Sequence, residues 1–235
     1  MSALHLFNDI GGLPFWNETQ ILKREQCIAT LALAMRNALV GMNPAWQMER
    51  IEGPTLTPRE HVNPEYDDGD LFTLDAQIAG RPASMRAETT ASSYAYARHL
   101  LRSGARKMPL CVWQAGKSYR REQNDGARAS TLRFNEFWQC EFQCIYRTDT
   151  KANYAAAVIP AAQAAIAALV GGDTRVVPSD RLPGYSTQTD DIECQWRSGW
   201  KEMASISRRT DFDGAAVLEV AVGLDRLVLA SEVVK

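Results

Sequence analysis

Helices are predicted where apolar side chains recur every three or four residues along the chain. Residues 19–40 follow that spacing, and Gly41 comes next as a stop signal. The segment TASSYAYARHLLRSG predicts a second helix, which Gly104 ends. Residues 150–170 are rich in alanine and predict a third helix with a kink at Pro160. The final segment, AAVLEVAVGLDRLVLASEVV, predicts a strand, a glycine turn and a fourth helix.

Strands are predicted where apolar and polar side chains alternate. The segment AWQMERIEGPTLTP alternates up to Pro54, which predicts a strand that leaves its sheet at the proline. Residues 61–70 are polar and rich in turn formers, so we expect a loop there. The segment LFTLDAQIAGRPASMRAE then predicts a hairpin that turns at Gly80-Arg81-Pro82.

The longest alternating stretches lie in the middle of the chain. MPLCVWQAGKSYRRE and TLRFNEFWQCEFQCIYR flank QNDGARAS, whose Asn-Asp-Gly is a strong turn signal, so together they predict a long antiparallel hairpin. DDIECQWRSGWKEMASISRR predicts two more strands. Because strands outnumber helices and neighbouring strands are joined by short turns, the expected fold class is α+β, with an antiparallel sheet flanked by helices in a single domain over residues 1–235.

The second strand of that hairpin has two chemically different faces, because alternate residues of a strand project to opposite sides. The mainly apolar face carries Leu132, Phe134, Glu136, Trp138, Cys140, Phe142 and Cys144. The mainly polar face carries Arg133, Asn135, Phe137, Gln139, Glu141 and Gln143. We expect the apolar face to pack on the core. The polar face, with Arg120 and Glu122 of the first strand, suits a nucleotide, because guanidinium groups bind phosphate oxygens and an aromatic ring stacks on a base.

Composition narrows the function further. The formal net charge of −2 argues against a protein that binds nucleic acid through a broad basic surface, although a local basic cleft stays open. The cysteines are odd in number and form no Cys-x-x-Cys pair; they are Cys27, Cys111, Cys140, Cys144 and Cys194. We interpret them as reduced core thiols, with a structural zinc site as the alternative. The chain has no apolar run of about 18 residues and no leader segment, which predicts a cytoplasmic protein without a membrane partner.

Three segments resemble the signature motifs of the class II aminoacyl-tRNA synthetases, in family order. ERIEGPTLTP and the helix before it resemble motif 1, over residues 19–58. SYRRE followed by RFNEF resembles motif 2, over residues 116–143, and EVAVGLDRLVLA resembles motif 3, over residues 215–235. MRAETT, WQAGKSYRRE and SGWKEMASISRRTDFD are closest to patterns of glycyl-tRNA synthetases. The resemblance implies that fold and an ATP-dependent ligase that converts a small, glycine-like amino acid to an aminoacyl-adenylate.

The resemblance also implies a role for each nucleotide-binding residue. Arg120 would hold the α-phosphate of ATP and the substrate carboxylate, and Glu122 would accept a hydrogen bond from the adenine amino group. Phe137 would stack on adenine, and Arg133 would hold the γ-phosphate. Arg226 would lie against the adenine ring and the γ-phosphate, so that Arg120 and Arg226 are the implied catalytic residues. A lone arginine is more often a solvated surface charge, whereas the spacing and order of the whole set favour a binding site.

Four carboxylates have implied roles in the same family pattern. Glu202 and Glu219 would hold Mg²⁺ on the phosphates, since oxygen ligands suit this ion. Glu219 is also consistent with a structural charge partner, because it is a single acid in an apolar strand. Glu88 and Glu141 would surround the ammonium group of the amino acid. An intramolecular salt bridge is the alternative for either of these two.

The remaining implied positions form the walls of the amino-acid pocket. Gln114 and Trp200 would be pocket walls, although a core tryptophan is the alternative for Trp200. The family serine of motif 3 is Ala221 here, a family acid is Gln143, and a family aspartate is Arg208. Loss of the serine hydroxyl removes one polar contact and enlarges the pocket slightly, so the sequence leaves open whether glycine is the substrate.

The acceptor of the activated amino acid is left open by the sequence. No anticodon-binding domain follows the motif 3 helix, so the expected acceptor is the end of a tRNA, a carrier protein or a metabolite. The resemblance implies a homodimer formed through motif 1, for which the alternative is that the apolar stripe of its helix packs within the chain. A non-catalytic accessory or binding subunit with the same fold is the alternative function.

Overall fold

A computed structural model describes residues 8–10, 13–122, 132–197 and 199–233. Its helices are α1 (Glu18–Met42), α2 (Thr90–Arg102), α3 (Ala155–Val170) and α4 (Leu224–Val233). The first strands are β1 (Asn8–Ile10), β2 (Leu13–Phe15), β3 (Gln47–Arg50), β4 (Leu56–Pro58), β5 (Thr73–Ile78) and β6 (Arg81–Met85). The later strands are β7 (Leu110–Tyr119), β8 (Glu136–Tyr146), β9 (Thr174–Pro178), β10 (Ser186–Trp196), β11 (Gly199–Phe212) and β12 (Ala215–Gly223).

The main sheet has seven strands in the order β3-β7-β8-β12-β11-β10-β9. Each neighbouring pair is antiparallel except β3 and β7, which run parallel. This arrangement confirms the predicted α+β class with an antiparallel sheet flanked by helices. The predicted long hairpin is confirmed as β7 paired with β8, whereas its predicted Asn-Asp-Gly turn lies outside the described residues. Strand β9, at the far edge of the sheet, was not predicted from the sequence.

The predicted helix over residues 19–40 corresponds to α1. The side chain of Asn17 accepts a hydrogen bond from the backbone N–H of Gln20, and the Gln20 side chain accepts one from the backbone N–H of Asn17. This reciprocal capping box satisfies backbone donors of the first turn, so the helix begins directly after Asn17. Helix α3 starts at Ala155, later than predicted, continues through Pro160, and ends at Gly171, whose φ of +73° is the left-handed conformation common after helices.

A separate three-stranded sheet contains β4, β6 and β5, and it corrects one predicted turn. Ile78 pairs with Arg81, so the hairpin turns at Ala79 and Gly80 rather than at Gly80-Arg81-Pro82. Both turn residues have positive φ, at +52° and +76°. A two-residue turn of this kind matches the right-handed twist of the two strands, which explains why it is favoured over the longer turn.

The two faces of the main sheet have different neighbours. On one face, α1, α3 and α4 cover an apolar layer that includes Cys140, Phe142 and Cys144, as the sequence predicts. The apolar stripe of α1 belongs to that layer through Ile28, Leu31, Met35 and Leu39, so this stripe packs within the chain. On the other face, α2 covers only the end of the sheet that carries residues such as Val112 and Val217. The remainder of this second face is polar.

All five cysteines are buried and free, as the sequence predicts. The sulfur atoms of Cys111 and Cys144 lie 3.7 Å apart, well beyond the length of a disulfide bond of about 2 Å. Burial raises the pKa of the Cys27 thiol to about 11, which disfavours the reactive thiolate. Within the described ranges, the helices are too short or too polar to cross a lipid bilayer.

The close approach of β7 to the segment before α2 gives a stability prediction. A Cβ atom on Gly116 would collide with the buried guanidinium of Arg86, which donates hydrogen bonds to the carbonyl oxygens of Lys117, at 2.7 Å, and Gly53, at 2.9 Å. We expect Gly116→Ala to lower the free energy of unfolding by about 1–3 kcal/mol. Gly41→Ala is the matched control, because it enters open space on a helix and should raise stability by about 0.5–1 kcal/mol. Chemical denaturation measures both, and equal effects would contradict the predicted collision.

Candidate functional site

The polar part of the second sheet face forms the floor of a cavity of about 480 Å³. The strand register arranges this floor in two rows across β8, β12, β11 and β10. One row contains Glu141, Ala221, Ser205 and Asp191. The next row contains Gln143, Glu219, Ser207 and Thr189. Polar side chains meet here because strands that are distant in sequence share one register.

Arg120 lines the cavity and lies immediately after the end of β7. Its guanidinium carbon is 5.2 Å from the ring centre of Phe137 and 5.1 Å from that of Tyr66. Its Nε donates a hydrogen bond to the carbonyl oxygen of Ala87 at 3.0 Å. Two aromatic faces and one carbonyl therefore fix this cation at the boundary between the outer and inner parts of the cavity.

The outer rim of the cavity is formed by two ion pairs. Arg133 Nη1 lies 3.3 Å from Glu122 Oε2, and the backbone N–H of Glu122 donates to the side chain of Asn135 at 2.9 Å. Arg226 Nη1 lies 3.3 Å from Glu202 Oε1, and it also donates to the Glu202 carbonyl oxygen at 3.0 Å. These side chains are partly exposed, so their charges are available to a ligand.

The inner part of the cavity holds three buried carboxylates, from Glu88, Glu141 and Glu219. Glu141 accepts a hydrogen bond at 2.9 Å from the backbone N–H of Thr89 and another from the Thr89 hydroxyl. Thr90, the first residue of α2, donates its hydroxyl to Glu219 at 3.1 Å. The start of α2 is thus bonded to two of the carboxylates, and the partial positive charge of a helix N-terminus favours that position.

One buried cation, from Arg209 on β11, compensates part of this negative charge. Its Nη1 lies 2.8 Å from Glu219 Oε2, and its Nη2 lies 2.7 Å from the exposed Asp211. Since Arg209 is shared with Asp211, the three inner carboxylates are only partly neutralised by Arg209 and Arg120. The inner cavity therefore has an excess of negative charge that favours a cationic group.

Burial and mutual repulsion raise the pKa values of the Glu141 and Glu88 carboxyl groups. Desolvation is the largest cause for Glu141, followed by the charges of Glu219 and Glu88, and together they raise its pKa to about 8. The pKa of Glu88 is raised by the same burial and by the charge of Glu219. The two groups titrate as a coupled set, and a cation bound among them would favour their ionised forms.

The structure brings together nearly all of the residues singled out in the sequence. Ten line this cavity: Glu88, Arg120, Glu122, Arg133, Phe137, Glu141, Glu202, Glu219, Ala221 and Arg226. Two do not. Gln114 is fully buried and donates to the Thr89 carbonyl oxygen and the Ser92 and Ser93 hydroxyls, so it supports the start of α2 from below. Trp200 lies near the β10–β11 turn, where the Arg175 guanidinium is 4.3 Å from its ring centre.

The structure also separates the two carboxylates that the resemblance pairs around Mg²⁺. Glu219 is opposite Ser207, which is five positions along β11 from Glu202. Asp191 and Glu202 line the same cavity, and the charge of Glu202 contributes to the raised pKa of Asp191, after the larger effect of burial. The described residues contain no group of three or more side chains arranged as metal ligands. Two carboxylates would still suit Mg²⁺ bound to phosphates, since this ion keeps several waters or phosphate oxygens as ligands.

Sequence reasoning did not assign roles to Tyr66, Arg209, Asp191 or the Thr89–Thr90 pair. Two of the segments that resemble glycyl-tRNA synthetases contain some of these residues: MRAETT contains both threonines, and SGWKEMASISRRTDFD contains Arg209. The polar loop that carries Tyr66 gave no such signal. Its phenol donates to Glu88 at 3.3 Å only because the loop folds over the sheet.

Comparisons with known proteins give the relatives of the chain and of its fold. No family model matches the chain. Over 174 residues the chain is 26% identical to the glycine–tRNA ligase of Mycoplasma capricolum subsp. capricolum. This match covers 62% of the chain and 38% of that ligase. Over 136 residues it is 30% identical to the glycine–tRNA ligase of Macrococcus caseolyticus, covering 55% of the chain and 28% of that ligase.

A solved structure shares the fold over almost the whole chain. The prolyl-tRNA synthetase of Cryptosporidium parvum, complexed with halofuginone and AMPPNP, superposes with a TM-score of 0.70 at 13% sequence identity. The superposition covers 95% of the chain and 48% of that synthetase. The chain spans less than two fifths of the length of the glycine–tRNA ligases named above. Fold and sequence together show that the chain contains a class II aminoacyl-tRNA synthetase-like core, similar in sequence to glycine–tRNA ligases.

Proposed function

We propose that the protein is an ATP-dependent ligase that activates a small amino acid as its aminoacyl-adenylate. The observation that carries the proposal is the position of Arg120 within the cavity. On one side of Arg120 lie the Phe137 ring and the arginines of the rim, and on the other lie the three buried carboxylates. A nucleotide fits the outer region and an ammonium group fits the inner one. Their reacting groups, the α-phosphate and the carboxylate, would then meet at the Arg120 guanidinium.

The reaction is an in-line displacement that needs no side-chain nucleophile. A carboxylate oxygen of the amino acid attacks the α-phosphorus of ATP, and the bond from that phosphorus to the bridging oxygen of pyrophosphate breaks. Aminoacyl-AMP and pyrophosphate are the products. The protein contributes by positioning the reactants and by stabilising charge on the phosphate oxygens, the role we assign to Arg120.

The nucleotide would be bound by residues from motifs 2 and 3. Phe137 provides the ring on which adenine stacks, and Glu122 the carboxylate that accepts from its amino group. Arg133 and Arg226 are paired with Glu122 and Glu202 in this structure, so phosphate binding involves exchange of these ion pairs for contacts to the γ-phosphate. Partly exposed ion pairs are weak, and such an exchange is energetically accessible.

The amino acid would place its ammonium group among Glu88, Glu141 and Glu219. Burial of three carboxylates with only part of their charge balanced is unfavourable unless a cation completes the set. We therefore assign Glu219 to the amino-acid site rather than to the metal. Ala221, next to Glu141 in the floor of the cavity, leaves room for a small side chain.

A magnesium ion would be held at Glu202, with Asp191 as the second carboxylate. When bound, the ion neutralises charge on the phosphate oxygens of ATP. The acceptor of the activated amino acid, whether a tRNA end, a carrier protein or a metabolite, would approach the open side of the same cavity. A homodimer through α1 and β3 is part of the proposal, although the apolar stripe of α1 is used within the chain.

Substitution of Arg120 tests the activity directly. In amino-acid-dependent exchange of pyrophosphate into ATP, we expect Arg120→Ala to lower the rate by on the order of 10²-fold or more, because the α-phosphate loses its charged donor. Arg147→Ala is the matched control, since Arg147 follows the end of β8 as Arg120 follows β7 but pairs with the exposed Asp149. A folded wild-type protein that binds ATP yet exchanges pyrophosphate with no amino acid of a complete panel would contradict the proposed enzyme.

The raised pKa of Glu141 predicts that stability falls as the pH rises. The folded protein keeps this proton up to about pH 8, whereas the unfolded chain releases it near the ordinary value of 4.5. The folded state therefore binds more protons between these values, and the free energy of unfolding decreases with pH across that window. Glu141→Gln should flatten this slope and be at least as stable as wild type at pH 8.

The same variant should weaken amino-acid binding, since a neutral amide cannot ionise beside the bound ammonium group as the carboxyl group would. We expect the KM for the amino acid to rise by about tenfold or more, while the KM for ATP changes little. Glu136→Gln is the control, because Glu136 is an exposed acid on the same strand that pairs with Lys117.

The stability prediction for Glu141→Gln has its own contrary outcome. Parallel stability curves for Glu141→Gln and wild type between pH 5 and pH 8 would show that Glu141 does not hold its proton in the folded protein.

A further inference from the structure

Asp225 links the two backbone segments that flank the proposed adenine site, one at Phe137 and the other at Arg226. It lies between Gly223, where β12 ends, and Arg226 in the first turn of α4. Its Oδ2 accepts a hydrogen bond at 2.9 Å from the backbone N–H of Trp138, the residue after Phe137. One side chain thus continues the β8–β12 ladder beyond its last pair and fixes the distance between the backbone at Phe137 and the backbone at Arg226.

The second oxygen of Asp225 faces a cation from a different part of the chain. Arg24 extends from α1, and its Nη1 lies 3.7 Å from Asp225 Oδ1. The Arg24 guanidinium carbon is also 4.5 Å from the ring centre of Trp138. Both facing atoms are buried and lack a hydrogen-bond partner among the described residues, so their attraction is electrostatic and acts in a region of low dielectric constant.

Asp225 is only 2% exposed, and burial raises the pKa of its carboxyl group to about 7. Three contacts oppose that effect: the Trp138 peptide from β8, Arg24 from α1, and the charge of Lys117 from β7. Lys117 is itself paired with the exposed Glu136. Arg24 is therefore the cation best placed to keep Asp225 ionised, and the ionised carboxylate is the stronger acceptor for the Trp138 N–H.

We propose that Arg24 and Asp225 are positioning residues for ATP, which hold the Phe137 ring and the Arg226 helix at the separation that the adenine ring requires. The inference rests on the proposed function, because it takes adenine to lie between these two side chains. It assigns to α1 a contact with the nucleotide site that is separate from any role of this helix in dimer formation.

The test is a double-mutant cycle on ATP binding. Arg24→Met keeps an unbranched apolar stem and removes the charged guanidinium, and Asp225→Asn keeps an acceptor for the Trp138 N–H and removes the charge. We expect each to raise the dissociation constant and the KM for ATP on the order of tenfold, with the KM for the amino acid within about twofold of wild type. The double variant should bind ATP no more weakly than Asp225→Asn alone. Arg24→Lys should recover part of the affinity.

The dependence on pH distinguishes positioning from a general loss of stability. Wild-type ATP affinity should fall as the pH drops from 8 to 6, where Asp225 gains a proton, and the fall should be smaller in Asp225→Asn, which keeps only the titration of the ATP phosphate and of other groups. Arg36→Met, on an exposed position of the same helix, is the control that should leave ATP affinity unchanged. Thermal unfolding of each variant confirms that the binding assays report on folded protein.

The outcomes separate this inference from the proposed function. If the wild type binds ATP and Arg24→Met binds it equally well, or if the two single effects are additive in the double variant, the positioning role is overturned and the proposed activity is unaffected. If the wild type binds ATP but exchanges no pyrophosphate, the proposed activity fails, and the cycle in dissociation constants still decides the positioning role. A wild type that does not bind ATP overturns both.

Discussion

The burial of Glu88, Glu141 and Glu219 on one face of the sheet is the constraint on which the rest of the site depends. An ionised carboxylate loses several kcal/mol of hydration when it is buried, unless charged or polar partners replace the lost water. Here the partners are the Arg209 guanidinium, the hydroxyls of Thr89 and Thr90, and the backbone N–H of Thr89. They come from β11 and from the start of α2, so the carboxylates determine where α2 must begin and which side chains of β11 must face inward.

The same sheet face serves two purposes along its length. Its apolar end is covered by α2 and forms part of the core, while its polar end stays open as the floor of the cavity. Small residues make this division possible. Gly116 leaves space for the buried Arg86 guanidinium, and Gly223 is in contact with the side chain of Arg226. A larger residue at either position would occupy the volume that an arginine uses to reach its partner.

The charge distribution separates the cavity into regions of opposite preference. Partly exposed arginines at the rim attract phosphate, whereas the buried carboxylates attract an ammonium group. Arg120 belongs to both regions, since its guanidinium contacts the Phe137 ring and its charge is felt by Glu88 and Glu141. In the proposed reaction this cation would lie between the substrate carboxylate and the α-phosphate, and it would reduce the repulsion between these two negative groups.

Local patterns in the sequence predicted most of the helices and strands and grouped the residues that are proposed to bind the nucleotide. Residues such as Arg120, Glu122 and Phe137 lie on one hairpin, so the alternation of strand side chains is enough to place them on a common face. The proposed amino-acid half of the site depends on the pairing of β8, β12, β11 and β10 and on a loop over the sheet. Pairing between distant strands has no local signal, which is why the contacts of Tyr66 and Arg209 and the separation of Glu219 from Glu202 were decided by the tertiary structure alone. The positions of Gln114, buried beneath α2, and of Trp200, outside the cavity, also follow from the packing of the chain. Strand alternation predicts which face of a sheet a side chain is on, but not what covers that face.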